Sequence, residues 1–241
     1  MTDTSPTETS RTEFGATALV YATFDGIVTA HSGIGTQTRG FLEAITVDAN
    51  VLARHDITDV FLAYPKPRPV AQGYEYDGAA ATASSGLLAR ARVQPWPLDW
   101  HADVFWTART WRQLCAALAA RVEALCERYE RVVVLAVDAV YLRLAEQFRC
   151  APEGLQIVHL WYSSVLVNGM VDNPDRLADE RWCIDRVNDP DNQVHIADVG
   201  TFFTAHLRRD FGLTAAPVPL LHSLCLDSPD YTPMEDRTSV V

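Results

Sequence analysis

Several kinds of signal are missing from this chain of 241 residues, and each absence removes a class of function. Nowhere do about 18 apolar residues run uninterrupted, so no membrane-spanning helix is expected. Basic residues are in deficit: 20 Lys and Arg face 31 Asp and Glu, for a formal charge of −11. That balance argues against nucleic acid or an anionic membrane as partner, because both demand basic patches. The five cysteines (Cys115, Cys126, Cys150, Cys183 and Cys225) are odd in number and contain no C-x-x-C pair. No metal site is therefore expected, and a reduced, cytoplasmic setting fits best. There is no G-x-x-x-x-G-K-[ST] loop and no G-x-S-x-G elbow to anchor a hydrolase triad. Carboxylates are plentiful, but their scatter marks no glycosidase pair.

What is present is the composition of one α/β domain with a sizeable core, 48% hydrophobic and 21% charged. Met1–Thr12 is rich in Thr, Ser, Pro, Asp and Glu, with no apolar stretch after a basic start, so residues 1–13 are expected to be a disordered tail and not a secretory signal. The domain itself is assigned to 14–226, and the polar, proline-marked 227–241 to a linker-like tail.

Within the domain, short apolar runs alternate with amphipathic helical stretches. Strands are predicted at Ala16–Phe24, Asp59–Tyr64, Leu87–Val93, Val132–Val137, Gln156–Trp161, Val194–Val199 and Pro217–Leu221. Helices are predicted over Gln37–Ile45, Trp111–Leu125, Tyr141–Phe148, Thr201–Phe211 and from Asn173-Pro174 to about Val187. The proline there suits the first helical position, and Gly212 suits the stop after Phe211. Residues 66–86 read as an irregular excursion. The order predicts an α/β fold with a single Rossmann-like, doubly wound, mainly parallel sheet, whose ligands bind at the carboxyl ends of the strands.

One such end carries Ser32-Gly33-Ile34-Gly35-Thr36, between the first strand and the first helix. Two glycines allow close backbone approach, and a helix start offers N–H groups to an anion. A dinucleotide fingerprint is excluded by spacing. It needs glycine at Thr38, Gly40 comes two positions late, and no acidic residue ends the second strand near Tyr64. A plain tight turn and a ligand-cradling loop both remain open. Asp25 and His31 flank the loop, where either side chain could touch a substrate. His101, Asp103 and Trp106 lie in a loop-like stretch without metal-ligand spacing and receive no role.

The segment from Ser32 through Gly40-Phe41-Leu42 resembles the glycine loop near the start of family-4 retaining glycosyltransferases of the two-domain GT-B type, relatives of glycogen and sucrose-phosphate synthases. Ser32 replaces the first glycine of the usual pair. Ile157-Val158-His159-Leu160 resembles that family's strand ending in histidine. Ile196-Ala197-Asp198, Thr204-Ala205-His206-Leu207 and Phe211-Gly212 resemble the stretch that closes its acceptor-side domain. His222-Ser223 departs from the Asn-Gly usual after the next strand.

The resemblance implies the acceptor-side half of an enzyme that moves a hexosyl group from a sugar nucleotide, its co-substrate, to a small-molecule or glycan hydroxyl with retention. It implies donor and phosphate contacts from Gly33, Ile34, Gly35 and Thr36, and a catalytic contact from His159 to the transferred sugar. No metal or other cofactor is implied, because the leaving diphosphate is stabilised electrostatically. Acceptor contacts are expected from Asp138, Trp161, Ser163 and Arg39. Three of them have a plainer alternative: Asp138 as a helix cap, Trp161 as core, Arg39 as a solvated surface residue. His159, likewise, has the alternative of a buried, satisfied histidine. The family's donor-side Arg/Lys pair and E-x7-E segment have no counterpart in the chain, so a separate donor-binding domain or partner polypeptide is expected. A noncatalytic partner of another transferase and an unrelated small-molecule-binding domain are the competing readings.

Overall fold

The apolar runs sort by how completely they are buried. In the computed structural model, which describes residues 13–29, 32–47, 50–68, 71–148, 150–167, 169 and 173–220, the two most apolar strands lie side by side at the centre. Strand β1 (Glu13–Ala22) buries Ala18, Val20 and Ala22 completely, and β4 (Tyr129–Val137) does the same with Val134, Ala136 and Val137. Burial on both faces is what a continuous apolar run needs. The other strands are β2 (Ile57–Pro65), β3 (Gln94–Leu98), β5 (Leu155–Leu160), β6 (Val194–Asp198) and β7 (Val218–Pro219). They form one seven-stranded sheet in the order β3-β2-β1-β4-β5-β6-β7, with every pairing parallel.

Helices α1 (Gly33–Val47), a single turn α2 (Asn50–Ala53), α3 (Gly78–Ala91), α4 (Ala108–Cys126), α5 (Pro174–Asn188) and α6 (Thr201–Phe211) connect the strands. The chain winds outward from β1 to β3, crosses back to β4, then winds the other way. Right-handed crossovers therefore place α1 and α3 on one face and α4, α5 and α6 on the other. Contact between α1 and α3, and the Arg112–Asp179 ion pair joining α4 to α5, agree with that arrangement. The winding reverses between β1 and β4, so the carboxyl ends of those two strands flank the crevice where such sheets bind ligands.

Local signals behave as the chemistry requires. The side chain of Asn173 accepts from the Arg176 N–H ahead of Pro174, and Gly212 ends α6 at φ 75°. Helix α4 buries Leu114, Cys115, Leu118 and Val122 at helical spacing.

Three expectations are corrected. Leu87–Val93 is not a strand. Asp77 opens α3 by accepting from the N–H groups of Ala79 and Ala80 (2.8 and 3.0 Å), and Ala80, Ser84, Leu87, Leu88 and Ala91 then face the core on a helical period. The third strand instead runs through Pro95 and Pro97. This is possible because β3 is an edge strand whose alternate residues turn their N–H side outward, so prolines two apart remove no bond to β2. The segment after β4 is not one helix but two 3-10 turns, Ala139–Tyr141 and Leu144–Gln147, broken at Arg143, whose guanidinium is drawn to Asp179 (2.7 Å). The tail predicted for residues 1–13 lies outside the described residues except at Glu13; the 227–241 tail, His31, His222-Ser223 and Cys225 lie outside them altogether.

Candidate functional site

The glycine loop is not a loop: Gly33 is already the first residue of α1. What precedes it is a tight segment organised by one carboxylate. Asp25, buried just past the end of β1, accepts at Oδ1 from the Gly26 N–H (2.7 Å) and the Thr29 hydroxyl. At Oδ2 it accepts from the Ser32 N–H (2.8 Å) and the Ser32 hydroxyl. The Ser32 oxygen in turn accepts from the Ile34 N–H (3.2 Å), the usual service of a residue ahead of a helix.

The glycines divide by role. Gly26 sits at φ 87°, and a Cβ there would come within 2.5 Å of the Gly35 Cα, so backbone packs on backbone between 26 and 35. Gly33 is exposed, and a Cβ there would meet nothing within 4 Å. The open side of the α1 start is thus at Gly33. Its inner side is held by the Asp25 carboxylate, which already opposes the positive end of the helix.

Beside this segment lies a cavity of about 420 Å³, within the size range of small-molecule sites. Phe24, Asp25, Thr29 and Ser32 form one wall, with Gly73, Tyr74, Glu75 and Trp106 opposite. The second wall comes from two connections zipped together by the Gln72 N–H to Asp103 carbonyl bond (2.8 Å) and the Phe105 N–H to Gln72 carbonyl bond (2.9 Å). Trp106 is half exposed yet fixed. Phe24, Phe105 and Trp111 meet it edge-on at centroid distances of 5.4, 5.0 and 6.2 Å. Gly73, at φ 79°, leaves the room: a Cβ there would lie 2.6 Å from the indole Cδ1. Trp106, given no role from sequence, is therefore a cavity wall, and Asp25 is the residue that shapes the site. No local signal pairs Trp106 with Gly73, since only the fold of two separate connections brings them together.

Three of the four residues expected to hold an acceptor, Asp138, Trp161 and Ser163, lie on the other side of the switch point, and Arg39 does not. Asp138, directly after β4, has φ 59° and ψ −166°, a region almost reserved for glycine. It does not cap the turn that follows. Its carboxylate accepts from the Tyr162 and Ser163 N–H groups (3.3 and 3.1 Å) and from the Ser163 hydroxyl (2.8 Å to Oδ2). Burial raises its pKa, while Ser163 and the Arg176 charge pull it back. Arg176 donates to the Ser163 hydroxyl (2.9 Å) and to Glu180 (2.9 Å), and Glu180 accepts from the Val165 N–H. Asp138 and Ser163 thus belong to a buried clamp that joins the ends of β4 and β5.

Of the two roles open to Trp161, the structure gives it the core. It is fully buried, donates to the Ser163 carbonyl, and packs against Phe203 and Phe211. Arg39 lies half-buried on α1. His159, in β5, is fully enclosed with neither ring nitrogen hydrogen-bonded, and burial lowers its pKa to about 4. It is therefore a neutral imidazole, and it touches neither the cavity lining nor the Asp138 clamp through any hydrogen bond.

A relay not anticipated from sequence lies next to the clamp. The Ser164 hydroxyl meets His206 Nε2 at 2.7 Å, and His206 Nδ1 meets Asp210 at 2.6 Å. The order matches a nucleophile, base and orienting acid. Yet Ser164 is completely buried, and its oxygen also accepts from the Val167 N–H (3.2 Å), so the relay ties the connection after β5 onto α6. The thiols of Cys115 and Cys183 are likewise buried with raised pKa values, and so unreactive. Among the described residues, no group of three His, Cys, Asp or Glu is placed to hold a metal ion, and no helix is long and apolar enough to cross a membrane. No protein-family model and no curated protein matches this chain.

Proposed function

We propose that this chain is the acceptor-side domain of a sugar transferase and that the cavity between Asp25 and Trp106 receives the hydroxylated acceptor. One observation carries the reading. The cavity, with an indole wall and hydroxyl groups, opens directly beside the glycine-bearing start of α1, the segment whose resemblance to family-4 glycosyltransferases implies contact with a donor diphosphate. Indole faces pack well against sugar rings, and Thr29 and Ser32, whose hydroxyl protons go to Asp25, present oxygens that can only accept from a sugar hydroxyl. The exposed, unobstructed Gly33 side of α1 is the place for an anion, with the acceptor on the far side of Asp25.

In this reading the chain's own residues bind and orient. Asp25 fixes the geometry of the α1 start, Trp106 positions a ring, and the Asp138 clamp keeps the ends of β4 and β5 in register. A donor-binding domain or partner polypeptide supplies the remaining wall. The test is a sugar-transfer assay: the chain, alone and with candidate donor-binding polypeptides, is incubated with sugar nucleotides and a pool of hydroxylated acceptors. Mass spectrometry then detects a hexosyl adduct, and NMR reads its anomeric configuration. Transfer with retention is the expected result. Inversion, or no transfer with any partner, removes the reading.

The complete enclosure of His159 favours a second reading, a noncatalytic binding domain, because an imidazole without access to solvent or ligand has no part in sugar transfer. The two separate on one substitution. If His159→Ala in an active assembly lowers kcat more than it weakens acceptor binding, the donor-side role stands.

A further inference from the structure

We infer that the cavity beside Trp106 selects a hydroxylated ring carrying a positively charged amine over neutral or anionic rings. The inference rests on the proposed acceptor role for its location, but its grounds are the charges around the cavity. Two carboxylates, Asp25 and Glu75, line it, and among the described residues no lysine, arginine or histidine does.

The two carboxylates act differently. Asp25 is about nine-tenths buried, and both its oxygens already accept two hydrogen bonds each, so it offers a ligand a fixed negative field and not a new bond. Such a field is weakly screened, because the carboxylate sits away from water. Glu75 is exposed and free to turn toward a bound ammonium group. Trp106 adds to the same sign, since the face of an indole attracts cations and its orientation is set by three neighbouring rings. An anionic ring in the cavity meets the opposite balance: on that inner side of the α1 start the Asp25 carboxylate stands in front of the helix, while the N–H groups open to an anion lie on the Gly33 side, outside the cavity.

The test uses three probes on one scaffold: glucosamine, glucose and glucose 6-phosphate, titrated against the intact chain and followed by tryptophan fluorescence and NMR. At mildly acidic pH glucosamine is expected to bind about three- to tenfold more tightly than glucose, with glucose 6-phosphate weakest. The preference should vanish at alkaline pH, where the amine is neutral. Glu75→Gln, on an exposed side chain, should shrink the preference for glucosamine over glucose; Trp106→Ala should weaken both, glucosamine more than glucose. Equal binding of glucosamine and glucose, or tightest binding of glucose 6-phosphate, overturns the charge selection and leaves the acceptor site standing. Absence of binding by all three, or binding indifferent to Trp106→Ala, overturns both.

Discussion

Over β1 and β2 the carboxyl edge of the sheet carries two carboxylates, two hydroxyls and an indole ring around open space. Over β4, β5 and β6 it carries Asp138, Ser163, Ser164 and His206 with their hydrogen bonds closed on one another. The second region has the more suggestive chemistry, down to a serine–histidine–aspartate relay, and the first has the access. In the closed region every named donor is spent on holding one connection against its neighbours. In the open region Asp25, Thr29 and Ser32 absorb the structural burden among themselves, and that leaves Glu75 and Trp106 available. Residue identity therefore marks where polar chemistry is concentrated, while burial decides whether a ligand meets it.

The largest expected effect breaks the open region. Gly26→Ala places a Cβ against the Gly35 backbone at a φ unsuited to alanine, and should cost about 4 kcal/mol of stability, read as a lowered urea midpoint. A loss under about 1 kcal/mol would mean that the 26–35 contact is not rigid. Asp25→Ala follows, at about 3 kcal/mol, because four hydrogen-bond donors lose one acceptor group; intact stability would show that the frame stands without it.

The closed region is sharpened by pH. His159 takes up a proton near 6.5 when unfolded but only near 4 when folded, so between those values stability falls as pH falls and is fully present above them. This contribution should amount to about 2 kcal/mol between roughly pH 7 and pH 5. It is read as the difference between wild type and a His159 variant, because Glu180, whose carboxyl pKa burial raises to about 7, pulls the other way. His159→Leu, measured beside the wild type, should remove that slope, and an unchanged slope would show that the imidazole is not buried in solution.

Ser164→Ala should cost about 1 kcal/mol, and a serine-directed fluorophosphonate should leave the wild-type protein unlabelled. Labelling at Ser164 would erase the contrast between the two regions. The smallest effect belongs to Gly33→Ala, expected within about 0.5 kcal/mol of wild type because its Cβ enters open space.

Much of the scaffold was legible because it rests on local chemistry. The apolar run Val132–Val137, the Asn173-Pro174 helix start and the Gly212 stop each need only neighbouring residues to explain them. Helix α3 was misread because Leu87-Leu88 looks like a strand until Asp77 is seen to cap the alanine run before it. The Ser32–Thr36 segment was read as lying between the first strand and the first helix, whereas Gly33 and Gly35 already belong to the first turn of α1. The division of labour among those glycines was not legible, because Gly26, outside the motif, is the partner that makes Gly35 necessary. Nor was the cavity: Trp106 and Gly73 meet only through hydrogen bonds between two connections that have no sequence pattern in common. His159 was legible as a strand residue, but its missing partners depend on the tertiary surroundings of β5, where Ala136 and Ile196 are its strand neighbours.

The two prolines of β3 bear on how this molecule behaves in a crowd. An edge strand normally offers a row of donors to any other extended chain, the first step of runaway sheet growth. With Pro95 and Pro97 facing outward, that border has no N–H at two successive outward positions. A stray strand arriving there finds almost nothing to donate to its own carbonyls, and the Pro97 carbonyl is already taken by Arg121 (3.1 Å), so the sheet is sealed against self-templating on the side nearest its open cavity.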